Sequence, residues 1–243
     1  MFFRYDLHNH SCLSPCGDND MTPYNLVNMA KLLDLDVIAL TDHNTCLNCP
    51  AAVMAGEEIG ITVVPGMELC TAEEIHVVCL FPDVEKALAF SDYVRQNLPP
   101  IKNRPEIFGE QRIMDESDNV IGTEELLLIT ACNIGIYQVP ELVKQYGGVA
   151  FPAHIDRDSY SVISNLGGID LSMGFGCAEI TAEADVEEYF AKYPDLKKMK
   201  LVTDSDAHYL ENMNMNPRHL ELDSLSAQSV VDYLMSQEYA DRS

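Results

Sequence analysis

The stretch that decides the fold class is DVIALTDHNTCLNCPAAVMAGEEIGITVVPGME, residues 36–68. It contains two apolar, β-branched runs that predict strands, and the alanine-rich segment between them predicts a helix that Gly60 ends. Each strand leads into a polar motif, which carries His43 after the first strand and Glu68 after the second. A strand, a helix and a second strand at this spacing predict parallel strands joined by a helical crossover.

The same pattern extends in both directions along the chain. Thr22 and Pro23 form an N-cap with proline at the first helical position, which predicts a helix to about Leu33. Strands are predicted over residues 3–8, 36–40, 61–65, 74–81, 148–153, 177–181, 200–203 and 219–222, and helices over 51–59, 186–192 and 226–236. Nearly every polar motif follows one of these strands. Since strand ends converge on one face of a barrel but not of an open sheet, we expect an α/β fold of the TIM-like barrel type.

Residues 83–147 interrupt this alternation. Pro99, Pro100 and Pro105 break a helical pattern, residues 112–122 predict a β-hairpin, and Pro140 predicts the start of a helix. We therefore expect one domain over 1–243 in which 83–147 forms a small insertion near the barrel mouth. This insertion either contributes to substrate selection or is an elaborated crossover without a catalytic part.

The charge of the chain bears on its partners. The 243 residues include 39 acidic and 15 basic side chains, for a formal net charge of −24. Nonspecific binding to a nucleic-acid backbone relies on clusters of Lys and Arg, so we expect nucleic acid to be an unfavoured partner, although a mononucleotide remains compatible. The absence of a long apolar run and of a basic, apolar N-terminal start predicts a cytoplasmic protein without a membrane span. The sequence does not indicate an oligomeric state.

Four of the eight cysteines lie in two predicted loops. Cys12 and Cys16 form C-x3-C, and Cys46 and Cys49 form C-x2-C. These spacings are compatible with a structural zinc site, or with reduced thiols in loops and pocket walls, as expected for a cytoplasmic chain.

Six of the seven histidines occur in tight polar motifs, and these are His8, His10, His43, His76, His154 and His208. Residues i and i+2 of a strand point to the same side, so His8 and His10 are placed to bind one ion together. Imidazoles mixed with carboxylates favour Zn²⁺, Mn²⁺ or Fe²⁺. With Glu68 and Asp206 there are too many ligands for one ion, which predicts two or three divalent ions bridged by a carboxylate. We expect Asp6 and Asp42 to orient imidazoles from behind.

The ordered motifs D-x-H-x-H-S, T-D-H, G-x-E, a strand-borne H, A-H and S-D-A-H, from Asp6 to His208, resemble those of the polymerase and histidinol phosphatase (PHP) superfamily. The resemblance implies a distorted (β/α)7 barrel, a trinuclear metal site and hydrolysis of phosphate esters. It implies a first metal on His8, His10, Glu68 and Asp206, a second on Glu68, His76 and His154, and a third on His43 and His208.

One loop departs from the family pattern. Many relatives carry an aspartate four residues after the serine of the first motif, where it helps to hold the third metal, and this chain has Pro15 there. We expect Asp18 to replace it, with Cys16 and Asp20 as alternatives.

On this template a metal-bridging hydroxide attacks phosphorus. Arg157 is the expected phosphate clamp, unless it pairs with Asp156 or Asp158. His208 or Asp206 is expected to protonate the leaving group, and Glu179 to line the pocket or support the structure. Arg218 and His219 are further candidates. The expected substrate is a small phosphorylated metabolite. The alternatives are a nucleotide phosphatase or exonuclease of the same superfamily, and a non-catalytic metal-binding module.

Overall fold

The computed structural model describes residues 1–213 and 218–236. Within these ranges ten strands occur: β1 (Phe2–Asp6), β2 (Val37–Leu40), β3 (Thr62–Cys70), β4 (His76–Leu80), β5 (Arg112–Met114), β6 (Val120–Thr123), β7 (Val149–Pro152), β8 (Cys177–Glu179), β9 (Lys200–Val202) and β10 (Arg218–Glu221). The α-helices are α1 (Pro23–Leu32), α2 (Cys49–Ile59), α3 (Val84–Asn97), α4 (Pro105–Phe108), α5 (Val139–Gln145), α6 (Val162–Leu166), α7 (Val186–Lys192) and α8 (Ala227–Met235).

The main sheet has six strands in the order β10-β1-β2-β3-β4-β7. Strands β1, β2 and β3 are parallel, as the opening stretch predicts. Strand β4 is antiparallel to both β3 and β7, and β10 is antiparallel to β1. The expectation of helical crossovers throughout is therefore wrong between β3 and β4. A tight turn reverses the chain there, closed by a hydrogen bond from Thr71 N to Ile75 O, with Glu74 at a positive φ of 57°.

The main sheet curls but stays open. Strands β8 and β9 form a separate parallel pair, which is linked to the main sheet through a hydrogen bond from Ile155 N to Glu179 O. On the other side of this pair, the segment after β9 meets the segment after β1, where Ala207 forms an isolated bridge with Asn9. The structure is thus an α/β fold built on a curled, half-barrel sheet, and the strand pairing of the described residues does not show the expected (β/α)7 closure.

Alternation along the strands separates two apolar cores. In β2, Ile38 and Leu40 pack with the core that includes α1, α2 and α3, whereas Val37 and Ala39 pack with the core that includes α8. In β3, Val64 belongs to this second core, and Glu68 points to the same side of the strand because it is four residues further on. The second core therefore lies beneath the polar face on which the predicted ligands gather.

Local signals account for several element boundaries. The Thr22 side chain accepts a hydrogen bond from Asn25 N at the start of α1, and Gly60 ends α2 in the left-handed conformation. The predicted hairpin is present as β5 and β6. No α-helix among the described residues is both long and apolar enough to cross a membrane.

Candidate metal centre

The carboxylate of Glu68, near the end of β3, is surrounded by imidazoles. The histidine nitrogens nearest to its oxygens lie at 2.9–3.3 Å and belong to His8, His10, His43, His76 and His154. Glu68 is 1% exposed, so this charge is withdrawn from solvent. A buried carboxylate needs positive partners, and a ring of imidazoles around it is the arrangement of a metal-bridging ligand.

Different elements supply these side chains to one face of the sheet. His8 and His10 follow β1, His43 follows β2 and His154 follows β7. His76 is the first residue of β4, and it reaches the same face because β4 runs antiparallel to its neighbours. The expectation of ligands at strand ends thus holds for four histidines, while the fifth lies at the start of a strand.

Three groups of side chains have ligand atoms close enough to share an ion. The first contains His8, His10, Glu68 and Asp206, the same set as the first predicted metal position. The second contains His43, Glu68 and His76, so His43 stands where His154 was expected. The third contains His43 and His208, as expected, together with His10. His154 remains adjacent, with its Nε2 3.2 Å from Glu68 Oε1.

The tautomers of three imidazoles fit metal binding. The Nδ1–H of His8 donates to Glu179 Oε2 at 2.8 Å, that of His10 to Ser14 Oγ at 3.0 Å and that of His208 to the Asp206 carbonyl oxygen at 2.8 Å. Each Nε2 is then left with its lone pair, which is the form a histidine ligand requires.

The spacing of the ligand atoms fits divalent ions as well. Two ligands about 2.1 Å from one ion lie about 3.0–3.4 Å apart in octahedral or tetrahedral geometry. The Nδ1 of His43 lies 3.0 Å from Glu68 Oε2 but is not aligned to hydrogen-bond with it, and it is buried. An orphaned buried nitrogen costs free energy unless something binds it. The residues present therefore fit a multinuclear centre of nitrogen- and oxygen-ligated divalent ions.

In the metal-free protein, the buried carboxylates raise the pKa values of some of these imidazoles, which are then protonated near pH 7. Burial alone lowers the pKa of His10 and His43, but the neighbouring carboxylates outweigh it and raise each pKa to about 9. Burial alone would raise the pKa of Glu68. The surrounding imidazoles lower it by more and hold the pKa well below the usual range. Burial and the nearby His10 lower the pKa of His208 to about 3. His208 is therefore neutral near pH 7, which suits a ligand better than a proton donor.

The acids behind the imidazoles act differently from what the sequence suggested. Asp42 accepts hydrogen bonds from Ser11 and from Ser14, and Ser14 in turn holds His10. Asp6 accepts from the backbone and hydroxyl of Ser205, and so fixes the segment that carries Asp206. Glu179 orients an imidazole directly, and the sequence had marked it only as a pocket-lining or structural acid.

Arg157 lies at the edge of the centre. Its guanidinium donates to Asp206 Oδ2 at 2.5 Å, so its partner is neither Asp156 nor Asp158. A cavity of about 550 Å³ adjoins this pair, and Arg157, Arg218 and Glu179 are among the residues that line it. Arg157 therefore presents a cation both to the ligand cluster and to a space open to a substrate.

The loop with the altered motif places its candidate acids outside the ligand groups. The carboxylate of Asp18 accepts a hydrogen bond from Asp20 N, and the backbone N–H of Asp18 donates to His208 O. Asp20 is exposed. Cys16 is exposed too, and its side chain is near enough to His43 to raise the pKa of that imidazole. Of the three alternatives, Cys16 is the side chain that the structure brings beside a predicted ligand of the third metal.

The other cysteines do not form a thiolate cluster. The thiols of Cys46 and Cys49 both donate to the carbonyl oxygen of Gly66, at 3.1 and 3.4 Å. Burial raises the pKa of Cys12 to about 12. Within residues 1–213 and 218–236, none of the three-ligand groups includes a cysteine. These thiols are buried packing groups.

A family comparison agrees with this geometry. The sequence model of the PHP domain matches residues 6–146, more than half of the chain. The chain belongs to the PHP domain family. The matched range contains His8, His10, His43, Glu68 and His76, while the motifs around His154 and Asp206 lie beyond it.

The curated relatives of the chain include ribonucleases. The chain is 39% identical over 80 residues to a 5′-3′ exoribonuclease of Haemophilus influenzae, a match that covers 32% of this chain and 28% of the relative. It is 31% identical over 112 residues to the 5′-3′ exoribonuclease Rnm of Salmonella typhimurium, covering 44% and 37% of the two chains. The matches thus span about a third of the length of these relatives.

Solved structures share the fold at low sequence identity. Endonuclease Q of Pyrococcus furiosus superposes with a TM-score of 0.65 at 16% identity, over 96% of this chain and 56% of that one. A candidate metal-dependent phosphoesterase of Bifidobacterium adolescentis gives a TM-score of 0.58 at 19% identity, over 96% of both chains. The names of these relatives and neighbours describe nucleases and a metal-dependent phosphoesterase, which act on phosphoester bonds.

These relatives overturn the expectation that nucleic acid is an unfavoured partner. That expectation rested on the net charge of −24, whereas exoribonucleases and a lesion-specific endonuclease are among the proteins that this chain resembles. Net charge averages over the whole surface, but the field that a phosphate meets is set by the cations nearest the site. Arg157 and any bound ions supply that local field, so the overall charge does not exclude a nucleic acid.

Proposed function

We propose that this protein is a metal-dependent phosphoesterase that acts on nucleotide phosphate bonds, either at the end of a short single-stranded nucleic acid or in a nucleotide. The observation that carries the proposal is the buried Glu68 carboxylate, ringed by five imidazoles and flanked by Asp206. The similarity to exoribonucleases supports the nucleotide part.

The ligand groups are arranged for two or three ions. His8, His10, Glu68 and Asp206 would hold one ion, with Glu68 shared by the group that contains His43 and His76. The group of His10, His43 and His208 would hold a third. Divalent ions bound there supply a water-derived nucleophile near neutral pH and stabilise negative charge on the phosphate.

The side chains of the protein position the substrate. Arg157, whose guanidinium is held by Asp206, binds two phosphate oxygens in a bidentate manner and orients the phosphorus over the cluster. Asp206 and His208 were the groups predicted to protonate the leaving group, but the imidazoles around Asp206 hold the pKa of its carboxyl low, and its contact with Arg157 favours the ionised form too, so Asp206 serves better as a ligand. The low pKa of His208 argues for its role as a ligand.

The acidic surface favours small or short substrates. A chain with 39 acidic and 15 basic residues repels a long polyanion except at the site itself. A chain end, a short oligonucleotide or a mononucleotide places fewer phosphates against that surface. The same argument applies to a small phosphorylated metabolite, which is the second candidate substrate.

The test combines metal analysis with a substrate panel. Purified protein, loaded with Mn²⁺, Zn²⁺ or Fe²⁺, is assayed with 5′-phosphorylated RNA tetramers, mononucleotides and sugar phosphates. We expect bound divalent ions, and release of nucleotides or phosphate that is fastest with a nucleotide substrate. His8→Ala should abolish this release. His219→Ala should not, because His219, a further candidate from the sequence, is exposed on β10 and belongs neither to the ligand groups nor to the wall of the cavity beside Arg157.

Two results decide between the candidates. Turnover of sugar phosphates alone would favour the small-metabolite reading over the nucleotide one. A metal-loaded protein that releases nothing from any ester of the panel would refute phosphoester hydrolysis.

A further inference from the structure

The loop after β7 carries three side chains to the centre. His154 lies beside Glu68, Arg157 contacts Asp206, and the ring of Tyr160 stacks on the imidazole of His76, with centroids 4.6 Å apart and an interplanar angle of 22°. A hydrogen bond from Ser161 Oγ to Arg157 O ties the loop together. One loop thus spans the cluster from its Asp206 side to its His76 side.

Tyr160 is held in an unusual backbone conformation. Its φ is +54°, a region that a bulky side chain rarely adopts. The conformation is fixed because the Tyr160 carbonyl accepts a hydrogen bond of 2.9 Å from His76 N. A strained residue at a functional site, pinned by a neighbour that is itself a candidate ligand, points to a role for its side chain.

The ring is also partly open to solvent. Tyr160 is 45% exposed, whereas the His76 side chain beneath it is 13% exposed. One face of the phenol therefore covers the imidazole and the opposite face is available to solvent. A flat aromatic face beside a phosphate-binding centre is the kind of platform on which nucleobases stack, whatever their sequence.

We propose that Tyr160 is a base-stacking platform, which binds the nucleobase next to the scissile phosphate while Arg157 binds the phosphate itself. This inference rests on the proposed function, and it identifies the substrate class as base-bearing phosphoesters. Tyr160 would then be a specificity-determining residue, because a sugar phosphate without a base gains nothing from the ring.

Binding measurements test the platform independently of turnover. Calorimetry with the Mn²⁺-loaded protein compares AMP with ribose 5-phosphate, which differ by the base. We expect wild type to bind AMP at least about fivefold more tightly. Tyr160→Leu should remove this preference by weakening AMP alone, and Tyr160→Phe, which keeps the ring, should retain it.

A matched control is available on the outer helix α3. Tyr93 is 37% exposed and packs on Phe90 and Tyr146, so Tyr93→Ala removes a tyrosine of similar exposure elsewhere in the fold. This variant should keep the preference for AMP. Circular dichroism of all variants verifies that they fold.

A turnover assay distinguishes stacking of Tyr160 on a nucleobase from a structural role of Tyr160 in supporting His76. Thymidine 5′-(4-nitrophenyl phosphate) and ethyl 4-nitrophenyl phosphate share a leaving group, but the second has no base. Tyr160→Leu should lower kcat/KM at least about fivefold for the thymidine ester and leave the ethyl ester within about twofold.

An equal fall for both esters, or equal binding of AMP and ribose 5-phosphate by wild type, would overturn the platform. Loss of turnover on every ester, with the AMP preference intact, would overturn the proposed function and leave the platform standing.

Discussion

The interaction between Glu179 and His8 shows how a buried acid serves a metal centre without entering it. Glu179 Oε2 accepts the Nδ1 proton of His8 at 2.8 Å, and both side chains are almost fully buried. The bond fixes the ring orientation and directs Nε2 towards Glu68 and Asp206, 3.2 and 3.3 Å away. It also makes the imidazole a stronger ligand, because the carboxylate offsets positive charge that develops on the ring.

Glu179→Gln should therefore weaken metal binding while leaving the fold intact. The amide has no negative charge and can present its NH₂ group to Nδ1, so His8 loses its preferred tautomer. We expect the affinity for the ion that His8 helps to bind to fall about 10- to 100-fold, as measured by competition with a chelating dye. Glu183→Gln removes an exposed acid from the wall of the adjoining cavity and should leave affinity unchanged. Equal affinities for wild type and Glu179→Gln would show that this bond is only structural.

The candidate ligands were easier to recognise in the sequence than the side chains that support them. His8, His10 and Glu68 occur in motifs whose residue types match divalent ions, so the pattern identifies them directly. Ser14 holds His10 through its hydroxyl, but a single serine in a sequence does not predict that contact. Tyr160 gave no signal either, because its stacking depends on a backbone conformation that only the folded loop defines.

At the scale of elements, the loop between β1 and α1 is organised by consecutive turns. Ser14 N donates to Ser11 O, and Gly17 N donates to Ser14 O. These turns place the Ser14 hydroxyl so that it accepts from both His10 Nδ1 and the backbone N–H of His43. The loop thus couples two candidate ligands, His10 and His43, that follow different strands.

Gly17→Ala should disturb this loop. A Cβ at Gly17 would overlap the backbone carbonyl oxygen of Ser11, and a backbone atom cannot move aside as the end of a flexible side chain can. We expect the free energy of unfolding to fall by about 1–3 kcal/mol, measured by urea denaturation without metal. Gly176→Ala is the matched control, since a Cβ there meets no heavy atom within 4 Å. A wild-type midpoint for Gly17→Ala would contradict the close packing of the loop.

The elements themselves were predicted unevenly. Helix α1 and the end of α2 follow from strong local signals at Thr22, Pro23 and Gly60. The direction of β4 was missed because strand patterns alternate in the same way whether the strand runs parallel or antiparallel. Only the tight turn before His76 decides it, and that turn contains neither Gly nor Pro.

At the scale of the whole molecule, the metal centre concentrates opposite charges inside an acidic protein. The buried carboxylates Glu68 and Asp206 have pKa values held low by the surrounding imidazoles, and in return His10 and His43 are protonated up to about pH 9. Without ions, those protons are the positive charges that stabilise the buried acids. Metal ions compete for the same lone pairs, so binding must release protons.

The sign of the resulting pH dependence follows from the two histidines. Their pKa rises from about 6.5 in the unfolded chain to about 9 in the fold, so the stability that their protons add is complete below pH 6.5. It is lost as the pH rises through 9. Because the pKa of Glu68 is low in the fold, its contribution to the free energy of unfolding is constant above about pH 4.5. It therefore does not change between pH 6.5 and 9.

We therefore expect opposite trends for the two forms of the protein. In EDTA the melting temperature should fall between pH 6.5 and 9, because folding in that interval must take up the His10 and His43 protons from solution, which becomes less favourable as the pH rises. With Mn²⁺ the ions replace those protons, so metal affinity should rise over the same interval and the increase in melting temperature on adding metal should grow with pH. Calorimetry in buffers of different ionisation enthalpy should detect protons released on metal binding near pH 7. His219→Gln, outside the cluster, should follow wild type in each measurement. A melting temperature in EDTA that rises with pH would mean that these imidazoles are neutral in the metal-free fold, and that the buried acids are stabilised in another way.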